Sequence, residues 1–483
     1  METVIYYIAD LLWDWPLIVT ILTTGIYYTL TCKFFQFKYF KHICQSTFGS
    51  SENHYKISKN TMTGMEAFFT AIATTSGVGN ITGVATAITI GGPGALFWLL
   101  LTGFIGMIIK MAEVTLAVYY RDEKPDGRFE SGPMHYIEKG IGIEMNFGKM
   151  RGPILVFSIG IMSTLFITIQ NTTASTAMSN ALGVNGLFIS LTYVFILYVA
   201  IFKGIHKTSK VFKILVPIVS CVYIGSGFLV LFRNLGLVLP AIKWILSDAF
   251  KLSALLGGVA GQGIGEVIRQ GVSRAVYSNE AGWGTTPMIH GRASTDHPIK
   301  IGFWGAIEVF FDTIVICFTT GIVVVIAMVS GYIAEPFDLI IHAFSMGIGS
   351  LALVIIPLTI FLFGLSTSIG WYSYYDTILN FFSSRSKLNV QVLKIAMKYI
   401  YPLPGLVVMF FMTGVNKPSG LLWAVSDILA GLPTFVNVFA VLILSNKFFD
   451  LLKDYEMKFI EGKVPEETIP IFYSEESFEK EYL

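Results

Sequence analysis

Charged residues are scarce in this chain of 483 residues. Asp, Glu, Lys and Arg make up 13% of it, about half their usual share in soluble proteins, whereas hydrophobic residues make up 54%. A soluble fold of this size exposes more surface than so few charges cover. The formal net charge of +1 also provides no clustered basic surface of the kind that nucleic acid requires. The composition therefore argues against a soluble globular protein and against a nucleic-acid-binding one.

Cysteine and the common catalytic signatures are also lacking. The four cysteines are far apart, with no CxxC pair and no His/Cys cluster, so we expect neither a disulfide framework nor a metal centre. No hydrolase elbow, Walker loop or dinucleotide turn is present, because the Gly77-x-Gly79 pair follows an apolar helix and not a strand. We therefore expect a protein that is not an enzyme and has no cofactor.

Long apolar runs fill most of the chain. A membrane helix needs about 20 mostly apolar residues. Runs of this kind predict an all-α integral membrane protein with about eleven transmembrane helices, near residues 12–32, 61–90, 93–120, 152–182, 186–203, 211–233, 253–292, 299–330, 348–381, 395–414 and 420–446. We expect the first run to be a retained helix and not a signal peptide, because its first basic residue, Lys33, follows the run.

Lysine and arginine collect in alternate loops. The stretches 33–60, 203–213 and 383–398 are rich in them, whereas the stretch 331–346, predicted to be a loop, is not. Positive charge marks the cytoplasmic side of a membrane protein. With eleven spans, the pattern predicts a multi-pass protein of the cell membrane with its N-terminus outside and its C-terminus in the cytoplasm. The tail, residues 447–483, is predicted to be a short helix followed by a loose end.

The spans divide into two sets of five. Residues 1–33 form an extra N-terminal helix, and residues 61–233 and 253–446 form two repeats. Each repeat opens with an interrupted helix, at residues 77–83 and, in the second, at the glycine-rich stretch 257–265 and the polar run 278–282. Because five is odd, the repeats are inverted. Broken helices at matching positions of inverted repeats indicate a transporter binding site.

The physical reason lies in the unwound backbone. Free N–H and C=O groups are unfavourable in lipid unless they line a cavity or meet a ligand. Free N–H groups suit a carboxylate, and free carbonyl oxygens suit Na⁺. Two charged residues of a predicted span, Lys110 and Glu113, are spaced i, i+3 and predict a local pair with a snorkelling lysine near the cytoplasmic end. Asp312 has two interpretations, a structural hydrogen-bonding role or a role in ion or proton binding.

Several motifs resemble those of one family, the alanine or glycine:cation symporters. The motifs occur in order over roughly residues 60–380, at residues 74–87 (TTSGVGNITGVATA), 91–98 (GGPGALFW), 112–118 (AEVTLAV), 132–134 (GPM), 278–282 (SNEAG), 295–298 (TDHP) and 311–313 (FDT). The family is similar in fold to LeuT-type carriers. The resemblance implies a LeuT-like 5+5 inverted repeat and sodium-coupled symport of a small neutral amino acid by alternating access within the lipid bilayer.

The resemblance also implies site residues. The implied substrate contacts are Val78, Gly79, Asn80, Gln170, Tyr277, Ser278, Asn279, Glu280, Thr367 and Trp371. The amides of Val78 and Gly79 would receive the substrate carboxylate, and carbonyls of the second break would hold its amino group. The implied sodium ligands are the carbonyls of Ala73 and Ser76 with hydroxyls at Thr367 and Ser368. Oxygen ligands suit such a hard cation.

The chain departs from the family pattern after the SNEAG motif. Relatives usually have Leu or Met at the position of Trp283, and small residues where residues 288–292 are Met, Ile, His, Gly and Arg. Bulk at Tyr277 or Trp283 has two interpretations, a smaller pocket or packing outside it. Alanine and glycine are therefore the first substrates to test. A proton-coupled carrier, a carrier of another amino acid, and a channel or sensor remain as alternatives.

Overall fold

The computed structural model describes residues 2–13, 15–49, 61–164, 169–250, 263–385, 390–414, 419–463 and 469–474. These residues are almost entirely helical, as predicted. Apolar side chains facing outward cover most of the helix surfaces, and the core lies between the helices. The chain is thus an all-α integral membrane protein with many spans.

The N-terminal segment and the first half consist of thirteen α-helices. The segment before residue 50 contains α1 (Glu2–Trp13), α2 (Trp15–Thr31), α3 (Phe35–Lys38) and α4 (Phe40–Phe48). The first half contains α5 (Gly64–Thr75), a 3₁₀ turn (Val78–Asn80), α6 (Thr82–Gly91), α7 (Ala95–Tyr119), strands β1 (Asp122–Glu123) and β2 (Phe129–Glu130), α8 (Pro133–Tyr136), a π-helix (Ile137–Glu144), α9 (Arg151–Ser163), α10 (Ile169–Leu182), α11 (Gly186–Lys203), α12 (Ile205–Arg233) and α13 (Leu235–Ala249).

The second half also consists mainly of helices. It contains α14 (Ile264–Asn279), α15 (Pro287–His290), α16 (Pro298–Val309), a π-helix (Phe310–Cys317), α17 (Phe318–Val329), α18 (Pro336–Ile348), a 3₁₀ turn (Gly349–Leu351), α19 (Ala352–Arg385), α20 (Val390–Ile400), α21 (Leu403–Gly414), α22 (Ser419–Ile443), α23 (Ser445–Tyr455) and a π-helix (Glu456–Ile460).

Six helices of the described chain are long and apolar enough to cross a membrane, or up to eight if each of two bent pairs counts as one span. The predicted count of eleven is larger because it includes interrupted segments, which the structure divides into short helices such as α5 and α6. The predicted spans were wrong in three places. The stretch 331–346, predicted to be a loop, contains most of α18, α13 was not predicted, and the predicted span 12–32 begins earlier, with α1.

Local sequence explains where several helices begin. Thr63 and Glu66 form a capping box at α5, in which Thr63 Oγ1 accepts from the Glu66 amide (3.1 Å) and Glu66 Oε2 accepts from the Thr63 amide (3.0 Å). This contact accounts for an ionisable residue at the edge of an apolar segment. Pro298 and Pro336 occupy the first turns of α16 and α18, where a missing N–H costs nothing.

The predicted interruption of the first repeat is confirmed. Helix α5 ends at Thr75, Gly77 is extended (φ −119°, ψ −158°), and α6 begins only at Thr82. In the second repeat, α14 ends at Asn279, and Glu280 adopts a left-handed conformation (φ 52°) that non-glycine residues rarely take. Residues 257–262 of the predicted glycine-rich stretch lie outside the described residues. The inverted relation of the two halves stays a prediction.

Helix α7 lies at the centre of the fold and packs against α14 and α16. The approach to α16 is close, since a Cβ added to Gly302 would lie 2.3 Å from Thr115 Oγ1. Helix α19 lies against both α5 and α10. Together these helices enclose the two breaks.

An ion-pair network lies outside the spans. Asp122, on the short hairpin, contacts Lys139 Nζ (2.6 Å), His135 Nε2 (3.5 Å) and Arg385 Nη2 (3.1 Å) at the end of α19. Burial alone would raise the pKa of Asp122, but the hydrogen bonds and charges of His135 and Lys139 hold that pKa well below its ordinary value. The network fastens the hairpin to α19. The predicted short helix of the tail is confirmed as α23.

Candidate substrate and cation site

The carboxylate of Asp312 joins the two breaks. It lies on the π-helix between α16 and α17 and is fully buried. Its Oδ1 accepts hydrogen bonds from Ser76 Oγ (3.2 Å) and Asn80 Nδ2 (2.6 Å) at the first break, and its Oδ2 accepts one from Ser278 Oγ (2.6 Å) at the second. Single π-helical turns are frequent at functional sites. The structural interpretation of Asp312 is confirmed, because one side chain ties both broken helices together.

Two asparagines satisfy the backbone of the breaks. Asn80 Oδ1 accepts from the Gly77 amide (2.9 Å). Asn279 Oδ1 accepts from the Ala281 amide, and its Nδ2 donates to Thr313 Oγ1, both at 2.9 Å. Backbone groups released by unwinding need such partners at membrane depth. Both asparagine side chains thus brace the unwound segments.

A small cavity of about 40 Å³ lies beside the breaks. It is far smaller than the pockets that hold drug-sized molecules. Hydroxyls, aromatic rings, one amide side chain and one carboxylate form its wall. The lining residues are Thr74, Thr75, Gly77, Gly79, Thr164, Gln170, Tyr277, Glu280, Trp283, Thr367, Ser368, Trp371, Tyr375, Tyr401 and Ala430. The arrangement suits a small polar ligand.

The carboxylate of Glu280 is held on one side of this cavity. Trp371 Nε1 donates to Glu280 Oε1 (3.0 Å), and Thr285 Oγ1 donates to Oε2. Glu280 is buried, and its carboxylate forms no ion pair with a Lys, Arg or His of the described chain. A buried carboxylate is unfavourable without a positive partner. A ligand that brings a positive charge into the cavity therefore has a place to bind.

Lys110 supports the second break from the side of α7. Its Nζ donates to the Glu280 carbonyl oxygen (2.7 Å) and to Thr286 Oγ1 (2.9 Å), and lies 3.9 Å from Glu113 Oε2. The predicted pair with Glu113 is confirmed. The prediction of a snorkelling lysine was wrong, because the side chain is fully buried and ends at the break.

The predicted sodium ligands lie on α5, the first break and α19. Thr367 Oγ1 donates to the Ala73 carbonyl oxygen at 3.5 Å, and both Thr367 and Ser368 line the cavity. The predicted ligand atom of Ser76 is its carbonyl oxygen, which stays a prediction; its hydroxyl donates to Asp312 Oδ1. Carbonyl and hydroxyl oxygens are the donors that a hard cation prefers. The donor set at Ala73, Thr367 and Ser368 therefore fits Na⁺.

Comparison with known proteins decides the family. The model of the "Sodium:alanine symporter family" matches residues 1–469. The chain belongs to the sodium:alanine symporter family. It is therefore a transporter of a family of cation-coupled amino-acid symporters.

Relatives of this symporter match over nearly their whole length. The probable sodium/glutamine symporter GlnT of Bacillus subtilis is 33% identical, over 98% of this chain and 94% of the relative. The sodium/alanine symporter AgcS of Methanococcus maripaludis is 31% identical, over 91% and 93%. An uncharacterised transporter of Bacillus subtilis, YflA, is 33% identical, over 93% of each chain.

Solved structures of other transporters share the fold of this symporter. A Na⁺-coupled sialic acid symporter has a TM-score of 0.54 at 13% identity and covers 94% of this chain and 92% of its own. The manganese transporter of Eremococcus coleocola has a TM-score of 0.53 at 12% identity, over 79% and 78%. The expected transporter fold is thereby confirmed.

The structure of the symporter divides the ten predicted substrate contacts into two groups. Those that line the cavity are Gly79, Gln170, Tyr277, Glu280, Thr367 and Trp371. Those that do not are Val78, Asn80, Ser278 and Asn279. The side chains of the last three make hydrogen bonds to Asp312 or Thr313, which turn them away from the ligand space. As ligand contacts, all ten stay predictions.

Several lining residues were not predicted. They are Thr74, Thr75, Gly77, Thr164, Tyr375, Tyr401 and Ala430. Trp283, for which the sequence left open a smaller pocket or packing outside it, lines the cavity. Tyr375 lies one helical turn after Trp371, so the spacing along α19 contained a usable signal. Tyr401, in the turn between α20 and α21, and Ala430, on α22, come from distant segments, and no local pattern marks them.

Proposed function

We propose that this protein is a secondary active symporter that takes up a small neutral amino acid, alanine or glycine, with sodium. The observation that carries the proposal is the small polar cavity between two broken helices, with unwound backbone on one side and the carboxylate of Glu280 on another. A zwitterion needs N–H donors for its carboxylate and an acceptor for its ammonium. Such a cavity offers both within one small volume.

In the proposed complex, the substrate carboxylate binds at the first break, at the amides of Val78 and Gly79. The ammonium binds near the Glu280 carboxylate, where it adds a direct ion pair to the more distant charge of Lys110, which contacts the carbonyl oxygen of the same residue. Gln170 and Thr367 complete the polar contacts. This arrangement uses both breaks, so one substrate molecule stabilises one relative position of the two broken helices.

Sodium is proposed as the coupling ion. Its oxygen ligands would be at Ala73, Ser76, Thr367 and Ser368, between the first broken helix and α19. Sodium bound there holds α19 close to α5. The contact between these two helices forms one wall of the cavity. Two ligands that stabilise the same closed arrangement bind cooperatively, and such mutual stabilisation is the basis of coupling.

Asp312 and Lys110 connect the segments that we propose to move together during alternating access. The Asp312 carboxylate ties the two breaks to each other, and Lys110 ties the second break to α7. We infer that the broken helices rock as one unit against α10 and α19, opening the cavity first to one side and then to the other. The proposed orientation has the N-terminus outside and the C-terminus in the cytoplasm, in the cell membrane.

Uptake of [³H]-alanine by proteoliposomes tests the proposal. An inward sodium gradient is expected to drive accumulation above the external concentration, and replacement of sodium by choline is expected to abolish it. Saturation and accumulation distinguish a carrier from a channel. Sodium-independent accumulation would contradict the coupling, and a pH jump that drives uptake without sodium would favour the proton-coupled alternative.

Glutamine is a second candidate substrate, because one relative at 33% identity is named a probable sodium/glutamine symporter. The cavity volume of about 40 Å³ favours the smaller amino acids. Competition of unlabelled glutamine, alanine and glycine against [³H]-alanine separates the candidates.

A further inference from the structure

The indole of Trp283 forms part of the cavity wall at the second break and is 2% exposed. Glycines with positive φ lie on both sides of it, Gly282 at 90° and Gly284 at 74°. A Cβ at Gly284 would lie 2.3 Å from Pro133 Cγ, and one at Gly282 would lie 2.9 Å from Val438 Cγ2. The backbone on either side of Trp283 is therefore closely packed, which fixes the position of the Trp283 Cα from which the indole extends.

Two neighbouring aromatic rings hold the indole. Trp283 meets Tyr277 edge to face at 5.6 Å and Trp371 edge to face at 5.7 Å between ring centroids. Trp371 is held in turn by its hydrogen bond to Glu280. All three rings line the cavity. The indole cannot move aside for a larger ligand without displacing packed neighbours, so the wall is rigid.

The indole N–H of Trp283 is buried and has no acceptor among the described residues. Other tryptophans of the described chain do donate to protein acceptors, as Trp13, Trp98 and Trp371 show. A buried N–H without an acceptor is rare and unfavourable. Because Trp283 lines the cavity, a bound ligand can supply the acceptor. Zwitterionic alanine and glycine have a single acceptor group, the carboxylate.

We propose that Trp283 selects the substrate in two ways. Its ring limits the size of the substrate side chain, and its N–H donates to the substrate carboxylate. The inference rests on the proposed function and names the residue that sets its specificity.

Two substitutions separate the effects of ring and N–H. Trp283→Phe keeps an aromatic ring and removes the donor, so the KM for alanine is expected to rise about tenfold with the order of competitors unchanged. Trp283→Met removes the rigid ring, so 2-aminobutyrate and glutamine are expected to compete at least tenfold better relative to alanine. Trp304→Phe is the control, because Trp304 is equally buried but packs against Phe68, away from the cavity.

The measurement is competition against sodium-driven [³H]-alanine uptake in proteoliposomes of the full chain. An unchanged KM in Trp283→Phe overturns the donor role, and an unchanged competitor order in Trp283→Met overturns the size limit.

The wild type gives a test that needs no variant. Alaninol, which lacks the carboxylate, is expected to compete poorly, as is 2-aminobutyrate, and equal competition by either overturns the corresponding role. Wild-type protein that accumulates no alanine with sodium contradicts the proposed function itself.

Discussion

Lys110 provides a sharp test of how the second break is held. Its ammonium is fully buried, donates to the Glu280 carbonyl oxygen (2.7 Å) and Thr286 Oγ1 (2.9 Å), and lies 3.9 Å from Glu113. Lys110→Met keeps most of the side-chain volume and removes the charge and the donors. Glu113 then remains as a buried carboxylate without its cation. Removal of one partner from a buried ion pair costs about 3–5 kcal/mol.

The expected result is a lower thermal midpoint for Lys110→Met, measured by the dye-free unfolding of purified protein in detergent. Lys110→Met combined with Glu113→Gln removes both charges and is expected to recover at least half of the loss, because no uncompensated charge remains. Lys300→Met is the matched control. Lys300 pairs with Asp296 at 2.6 Å, but both side chains are partly exposed, so about 0–1 kcal/mol is expected.

Two outcomes would refute this reasoning. One is a Lys110→Met protein that loses no more stability than Lys300→Met. The other is a double variant that is less stable than Lys110→Met alone, since that would mean that Glu113 contributes through its hydrogen bonds and not through its pairing with Lys110. Alanine uptake by the folded Lys110→Met protein is expected to fall as well, because the ammonium positions the Glu280 backbone at the cavity.

The remaining predictions concern the first break, the tie between the breaks and the charged network outside the spans. Asp312→Asn is expected to lower sodium-driven alanine uptake at least tenfold without reducing the yield of monodisperse protein, and full uptake would contradict the role of the carboxylate as a tie. Gly79→Ala brings a Cβ to 3.1 Å from the Tyr277 ring, so uptake kinetics are expected to show a several-fold higher KM for alanine. Because the pKa of Asp122 is lower in the folded protein than in the unfolded chain, the stabilisation by its contacts with His135 and Lys139 is present above about pH 4 and is lost as the pH falls further. The difference in thermal midpoint between wild type and Asp122→Asn is therefore expected to shrink from pH 7 to pH 3.

The positions of the breaks were predictable from the sequence, because local chemistry determines them. Gly77 and Gly79 weaken a helix, and Asn80 supplies a side-chain acceptor for the Gly77 amide three residues away. The same holds for helices whose ends carry caps, such as α5 with its Thr63 box. Features determined within one or two turns are visible in a sequence.

The partners of those residues were not predictable, because they come from distant segments. Asn80 and Asp312 are 232 residues apart, and no local pattern indicates that the Asn80 amide faces the carboxylate and not the substrate. The burial of Lys110 was not predictable for the same reason, since its acceptors lie 170 and 176 residues further along the chain. Helix α18 was not predicted, because Glu335 and Asp338 at its start are typical of a loop between spans.

The buried charges of this symporter fall into a pattern that bears on its mechanism. Asp312 binds side chains of both breaks, Lys110 binds the backbone of the second, and Glu280 lines the cavity, where its carboxylate forms no ion pair within the described chain. The first two interactions stay within the unit formed by the broken helices and their immediate supports, so they can persist while that unit moves. The Glu280 carboxylate differs, since its positive partner is proposed to arrive with the substrate. Of these three charges, it is therefore the one whose environment changes most during a transport cycle, and substitution of Glu280 by Gln is expected to weaken alanine binding more than it weakens the fold.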